Sequence, residues 1–93
     1  MKMQFIKTYG ERELECRCRN YARQQGWVCW KNENNGNKGI PDDSFLSPTG
    51  RFLLVEFKTT RGRLRKEQKI WQSRFPDIVK IVRTFKEFSE LLQ

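Results

Sequence analysis

The sequence predicts an α/β fold, a mixed central sheet flanked by helices, with elements in the order α-β-β-β-α-β-α. Three observations carry that prediction. Apolar residues switch repeatedly between the helical spacing of about 3.6 and the strand spacing of about 2. Gly and Pro punctuate the switches. A length of 93 residues suits one domain, residues 1–93, with no room for a second compact one.

Leu14, Cys18, Tyr21 and Ala22 recur on one helical face, so a first helix runs from about Glu11 to Gln25 and Gly26 ends it. Trp27 to Lys31, aromatic and β-branched, reads as a short strand, and Asn32 to Gly39 as a polar, mobile loop. A second strand enters through Pro41 and spans Ile40 to Leu46. Ser47-Pro48-Thr49-Gly50 is a turn into the apolar run Phe52 to Phe57, which completes a hairpin. Leu64, Trp71 and Phe75 lie on one face of a second helix over Leu64 to Arg74, stopped by Pro76. Ile78, Val79, Ile81 and Val82 form a last strand, and Phe85, Phe88, Leu91 and Leu92 mark an amphipathic final helix. Seven Phe, three Trp and two Tyr supply bulk to a core that is necessarily thin at this size.

Nineteen Lys and Arg against eleven Asp and Glu leave a formal charge of +8, which favours a polyanionic partner, nucleic acid first. No apolar run approaches the roughly 18 residues of a spanning helix, and no signal-peptide core follows Met1, so a membrane role is excluded and a cytoplasmic location is expected. Cys16, Cys18 and Cys29 are odd in number, and no His is present to complete a zinc site. They read as reduced, structural thiols. The absence of His also removes the commonest general base. Chemistry has to run on carboxylates, lysine, hydroxyls or a metal-activated water.

In Leu53-Leu54-Val55-Glu56-Phe57-Lys58, alternation puts Leu54, Glu56 and Lys58 on one strand face and Leu53, Val55 and Phe57 on the other. An isolated Glu-x-Lys reads as a salt bridge at a strand end. Asp42 changes that reading, because the turn at Ser47 to Gly50 brings it near Glu56. Two carboxylates converging with a lysine can hold a hard divalent cation through oxygen, as Mg²⁺ prefers. Such a cation replaces the missing histidine by activating water and offsetting charge on phosphorus. Lys58 would then orient or deprotonate the attacking water or steady the transition state, and the main-chain carbonyl of Phe57 is an additional candidate ligand.

Gly39-Ile40-Pro41-Asp42, Gly50-Arg51, Val55-Glu56-Phe57-Lys58, Gly62-Arg63-Leu64 and Glu67-Gln68 together resemble the VRR-NUC branch of the PD-(D/E)XK nuclease superfamily, closely from residue 39 to about 75. The resemblance implies the PD-(D/E)XK nuclease fold, with Asp42 and Glu56 as metal ligands, Lys58 as the catalytic lysine and Gln68 as a site residue on the second helix. Gln68 also falls on the Leu64, Trp71, Phe75 stripe, a polar group on a face expected to be buried. The family places a glutamate on the first helix, which points to Glu15, with Glu11 one turn earlier as the alternative; Glu15 can equally pair with Arg19. Where many relatives carry a Ser or Thr helix cap, this chain has Arg65, which leaves the start of the second helix open.

Lys38, Arg61, Arg63, Arg65, Lys66 and Lys69 crowd the proposed centre and are candidates for phosphate-backbone contacts, which give affinity without reading bases. The expected function is a Mg²⁺- or Mn²⁺-dependent DNA endonuclease, by resemblance selective for branched or junction DNA and acting as a homodimer. Two alternatives remain open: a non-catalytic basic DNA-binding module on the same fold, and a restriction-type nuclease, for which the chain leaves little room to read sequence.

Overall fold

A computed structural model of the chain describes residues 10–33 and 36–93, so Asn34 and Asn35 of the polar loop lie outside the described residues. Helix α1 (Glu11–Gln24) buries Leu14, Cys18 and Ala22, one contact per turn along a single stripe. Its N-cap, Gly10, offers no side-chain acceptor, and Glu11 and Glu13 in the first turn complement the helix dipole instead. Gly26 takes φ 86°, a left-handed conformation in which the Trp27 N–H closes on the Ala22 carbonyl at 2.9 Å. Trp27 is therefore a buried part of the helix end, and strand β1 is Val28–Lys31.

Strands β2 (Asp43–Leu46) and β3 (Phe52–Phe57) form the expected hairpin, and β4 (Val79–Val82) follows helix α2 (Lys66–Arg74). The sheet order is β1-β2-β3-β4, antiparallel up to β3 and parallel between β3 and β4. The parallel pair needs a crossover, and α2 supplies it. Helix α3 (Phe85–Leu91) ends the chain's ordered elements, capped by Thr84, whose hydroxyl accepts from the Glu87 N–H at 3.1 Å.

Element boundaries differ from the sequence reading by one to three residues, for local reasons. β2 starts at Asp43 rather than Ile40 because Gly39 sits at φ 80° and Pro41 has no N–H to give a ladder. α2 starts at Lys66 rather than Leu64, with Arg65 as the N-cap. A guanidinium has no acceptor; the Gln68 side chain supplies the cap from inside the helix, its Oε1 accepting from the Arg65 N–H at 2.8 Å.

One face of the sheet packs on α1 and α3. Cys29, Phe45 and Leu53 align across β1, β2 and β3 and are buried beneath Leu14, Cys18 and Ala22. Phe45, Phe57 and Phe88 form an aromatic cluster with centroids 5.1–6.3 Å apart. The other face is covered by α2 only toward β4 and the end of β3. On β1–β3 it leaves Val28, Trp30, Leu46 and Phe52 exposed, with the Trp30 and Phe52 rings 6.4 Å apart. The three cysteines are free thiols: Cys16 is exposed, Cys18 and Cys29 are buried. Among the described residues no helix is long and apolar enough to cross a membrane.

Candidate active site

The candidate site forms where the β2–β3 hairpin ends. Asp43 pairs with Val55, so one step further along the antiparallel register Asp42 stands across from Glu56. Buried Pro41 precedes it, and the Asn32 N–H donates to the Asp42 carbonyl at 2.8 Å, holding the backbone beyond the last strand residue. Asp42 Oδ2 accepts the Phe57 N–H at 2.8 Å. The carboxylate is thus oriented by the strand that carries Glu56.

Glu56 is 4% exposed. Its Oε2 accepts from Gln68 Nε2 at 2.9 Å and lies 3.7 Å from Lys58 Nζ, whose side chain is mostly buried. Burial pushes the Glu56 carboxyl up to about 7, and the Asp42 charge adds to this against the opposing Lys58 and Arg65 cations. Burial also raises Asp42; the Phe57 N–H opposes the shift, and the charges of Glu15 and Glu11 reinforce it. The two carboxylates therefore repel, and a cation between them would relieve both the repulsion and the desolvation.

Gln68 is 4% exposed and turns its two ends to different tasks, Nε2 to Glu56 and Oε1 to the entry of α2. The alternation of β3 and the inward face of α2 at Gln68 thus bring Asp42, Glu56, Lys58 and Gln68 together; Leu64 lies before the helix and Phe75 caps its far end, exposed, so the apolar stripe expected from Leu64 to Phe75 does not form.

Glu15 stands beside Asp42 and is held by basic neighbours. It lines a cleft of about 600 Å³ with Glu11, Arg12, Arg19, Lys31 and Asp42, but its Oε2 accepts from Lys31 Nζ at 2.8 Å and lies 3.6 Å from Arg19 Nη1. Burial first, and the neighbouring Glu15 carboxyl with it, push Asp43 up to about 8, and Asp43 Oδ2 is buried with no hydrogen-bond partner among the described residues. Glu15 itself is lowered: burial alone would raise it, but the Asp43 carboxyl beside it and the Lys31 and Arg19 cations together outweigh that. Glu15 belongs to a network joining α1, β1 and β2. Glu11 stays in the cleft, and its charge acts on both Asp42 and Glu56.

Two participants escaped the sequence reading. Asp43 is fully buried on the core face between Lys31 and Val55; Arg19 Nη1 donates to its Oδ1 at 3.4 Å. Strand alternation from Asp42 assigns Asp43 to the inner face, the one signal available. Arg83 donates from Nη1 to the carbonyls of Thr59 at 2.8 Å and Gly62 at 2.6 Å, pinning the loop that follows Lys58. Nothing in the sequence around Arg83 signals that clamp. The basic candidates Lys38, Arg61, Arg63, Arg65, Lys66 and Lys69 are all exposed.

Oxygen is the only donor type offered by Asp42, Glu56 and the Phe57 carbonyl, the chemistry a hard divalent cation selects. Each carboxylate gives one oxygen to protein donors, Oδ2 and Oε2, and the other lies outside those bonds. Among the described residues no set of three His, Cys, Asp or Glu side chains gathers at metal-holding spacing. Two carboxylates and a carbonyl could hold such an ion and would leave water on it.

No curated protein matches the sequence. A solved structure described as a VRR_NUC domain is similar in fold, with a TM-score of 0.79 at 23% identity over 88% of this chain and 92% of that one. The family model for the VRR-NUC domain matches residues 3–78. With the hairpin, the crossover helix and the Asp42, Glu56, Lys58 and Gln68 cluster in place, that match over most of the length shows that the chain belongs to the VRR-NUC family of nuclease-type domains.

Proposed function

We propose that residues 1–93 act as one Mg²⁺- or Mn²⁺-dependent endonuclease unit that hydrolyses DNA phosphodiesters. The observation that carries this reading is the apposition of Asp42 and Glu56, both raised by burial, with Lys58 at 3.7 Å from Glu56. Asp42, Glu56 and the Phe57 carbonyl would hold the cation. When bound, it lowers the pKa of water and offsets charge building on phosphorus. Gln68 and the Phe57 N–H fix the two carboxylates in orientation. The Lys58 ammonium, free of the hydration an exposed lysine keeps, positions the attacking water or offsets charge on the phosphoryl oxygens in the transition state.

Exposed Arg61, Arg63, Arg65, Lys66, Lys69 and Lys38 supply the backbone contacts, which favour DNA without reading bases, and branched or junction DNA is the proposed substrate. Glu15 acts through the placement of Lys31 and Asp43. The exposed apolar face of Val28, Trp30, Leu46 and Phe52 supports a homodimer, since α/β sheets are ordinarily covered on both faces. The reduced thiols fit the cytoplasm. Incubation with plasmid, duplex and four-way DNA in Mg²⁺, Mn²⁺ or EDTA tests the activity: cleavage is expected with either metal and none in EDTA. Binding with no cleavage under any of these conditions would leave a non-catalytic DNA-binding module. Light scattering tests the dimer, and a mass near 11 kDa with and without DNA refutes it.

A further inference from the structure

Beside the catalytic strand, α2 and the loop before Asp42 enclose a second hollow, of about 370 Å³, lined by Asn37, Lys38, Ile70, Trp71, Arg74 and Phe75. Its walls are held in place. The Trp71 indole N–H donates to the Lys38 carbonyl at 3.0 Å, which fixes the ring, and Gly39 lies so close to α2 that a Cβ there would stand 2.5 Å from the Glu67 backbone. Only glycine permits that approach.

The lining is apolar where it is flat and cationic at its rim. Ile70 on α2 is 47% and Phe75 at its C-terminal cap 40% exposed, so the hollow carries two large apolar side chains open to solvent. The Trp71 and Phe75 rings stand 5.7 Å apart at 45°, an open wedge. The Arg74 guanidinium lies 5.5 Å from the Phe75 ring centroid, and Lys38 is exposed. Among the described residues no acidic side chain lines the hollow. Flat aromatic surface beside paired cations matches a nucleobase and its flanking phosphates.

Location ties the hollow to the chemistry. Trp71 is three residues beyond Gln68, about 4.5 Å along the helix, Phe75 caps that helix's far end, and Gln68 bonds Glu56. A strand whose scissile phosphate sits at Glu56 has an unpaired base within reach of this wedge a few nucleotides away. A base inside a duplex is stacked on both faces and cannot enter; an unpaired one can.

We propose that the Trp71–Phe75 hollow is a docking site for an unpaired base of the DNA substrate, so that strands with unpaired bases beside the cut are preferred. This rests on the nuclease reading and supplies a physical basis for its structure selectivity. The test is equilibrium binding of the full chain in EDTA, so it does not depend on cleavage. Probes are a blunt duplex, the same duplex with a single-stranded flap, and the same flap made abasic. The intact flap is expected to bind about tenfold tighter than the abasic one, and Phe75→Ala to remove that advantage while binding blunt duplex unchanged. Trp71→Phe, which keeps a ring but loses the bond to Lys38, is expected to reduce the advantage only in part. Equal binding of intact and abasic flaps, or equal loss on duplex and flap in Phe75→Ala, would each overturn the proposal. Failure of the nuclease reading would show separately, as absent cleavage with Mg²⁺ or Mn²⁺.

Discussion

Gln68→Met tests the link between α2 and the catalytic strand, because it keeps length and helix propensity while deleting both ends of the amide. The bond to Glu56 Oε2 at 2.9 Å is to a charged group at pH 8, which contributes about 1.5–3 kcal/mol. The acceptor for the Arg65 N–H is a helix-entry cap, whose loss costs about 1 kcal/mol. Water cannot substitute at a side chain 4% exposed, so the combined loss of stability is about 3 kcal/mol at pH 8. At pH 5.5 Glu56, with its carboxyl at about 7, is protonated, the bond becomes neutral, and the cost falls to about 2 kcal/mol. Urea unfolding in EDTA at both pH values, in wild-type and Glu56→Ala backgrounds, measures the coupling as a double-mutant cycle. A coupling below about 0.5 kcal/mol, or a loss identical at the two pH values, would refute the assignment of Gln68 to the Glu56 carboxylate.

Asp42→Asn and Lys58→Ala should fail differently: the first weakens Mn²⁺ binding and abolishes cleavage, the second spares Mn²⁺ binding while cleavage falls about 10²-fold, as calorimetry beside a cleavage assay reads out. Asp43, raised to about 8, holds in the folded state a proton that the unfolded chain releases. Its stabilisation is complete below the unfolded value of 3.8 and is lost as pH rises toward 8, at no more than about 1.4 kcal/mol per unit. Thermal melts in EDTA should therefore show wild type losing stability from pH 5 to 8 relative to Asp43→Asn, and parallel curves would contradict the buried carboxyl pair. Gly39→Ala, at φ 80° with a Cβ 2.5 Å from the Glu67 backbone, should cost at least about 2 kcal/mol in denaturant; a neutral result would mean that the loop does not rest on α2. Native protein should expose one reactive thiol, Cys16, to a thiol reagent and three after unfolding, since burial pushes Cys18 up to about 12 and raises Cys29.

The order of elements and the inner faces of α1 and β3 follow from periodicity alone, since Leu14, Cys18 and Ala22 or Leu53, Val55 and Phe57 are set by bond geometry within one element. The meeting of Asp42 with Glu56 was legible for a related reason: a four-residue turn leaves a hairpin little freedom of register. The burial of Gln68 was legible from the motif around it, but not from the apolar stripe, since Leu64 precedes the helix and Phe75 lies exposed at its end. The start of α2 was not legible, because its cap comes from Gln68 inside the helix instead of from the residue before it.

What the tertiary structure alone decided concerns side chains that meet across elements distant in sequence. The sequence presents Glu15 as a candidate site residue or a partner of Arg19; it lines the cleft with Asp42, but its further neighbours Lys31 and Asp43 come from two strands, and only the docking of α1 on the sheet brings them to it. Arg83 reaches the Thr59 and Gly62 carbonyls because the parallel β3–β4 pairing lays the end of β4 beside the loop after β3, a crossover that no local pattern encodes. The fate of the aromatic residues divides in the same way. Composition counts Trp30, Phe52 and Phe75 with Phe45, Phe57 and Phe88 as core material, but burial depends on whether another layer covers that face. Two helices cover the inner face of the sheet, and one short helix covers only an end of the other.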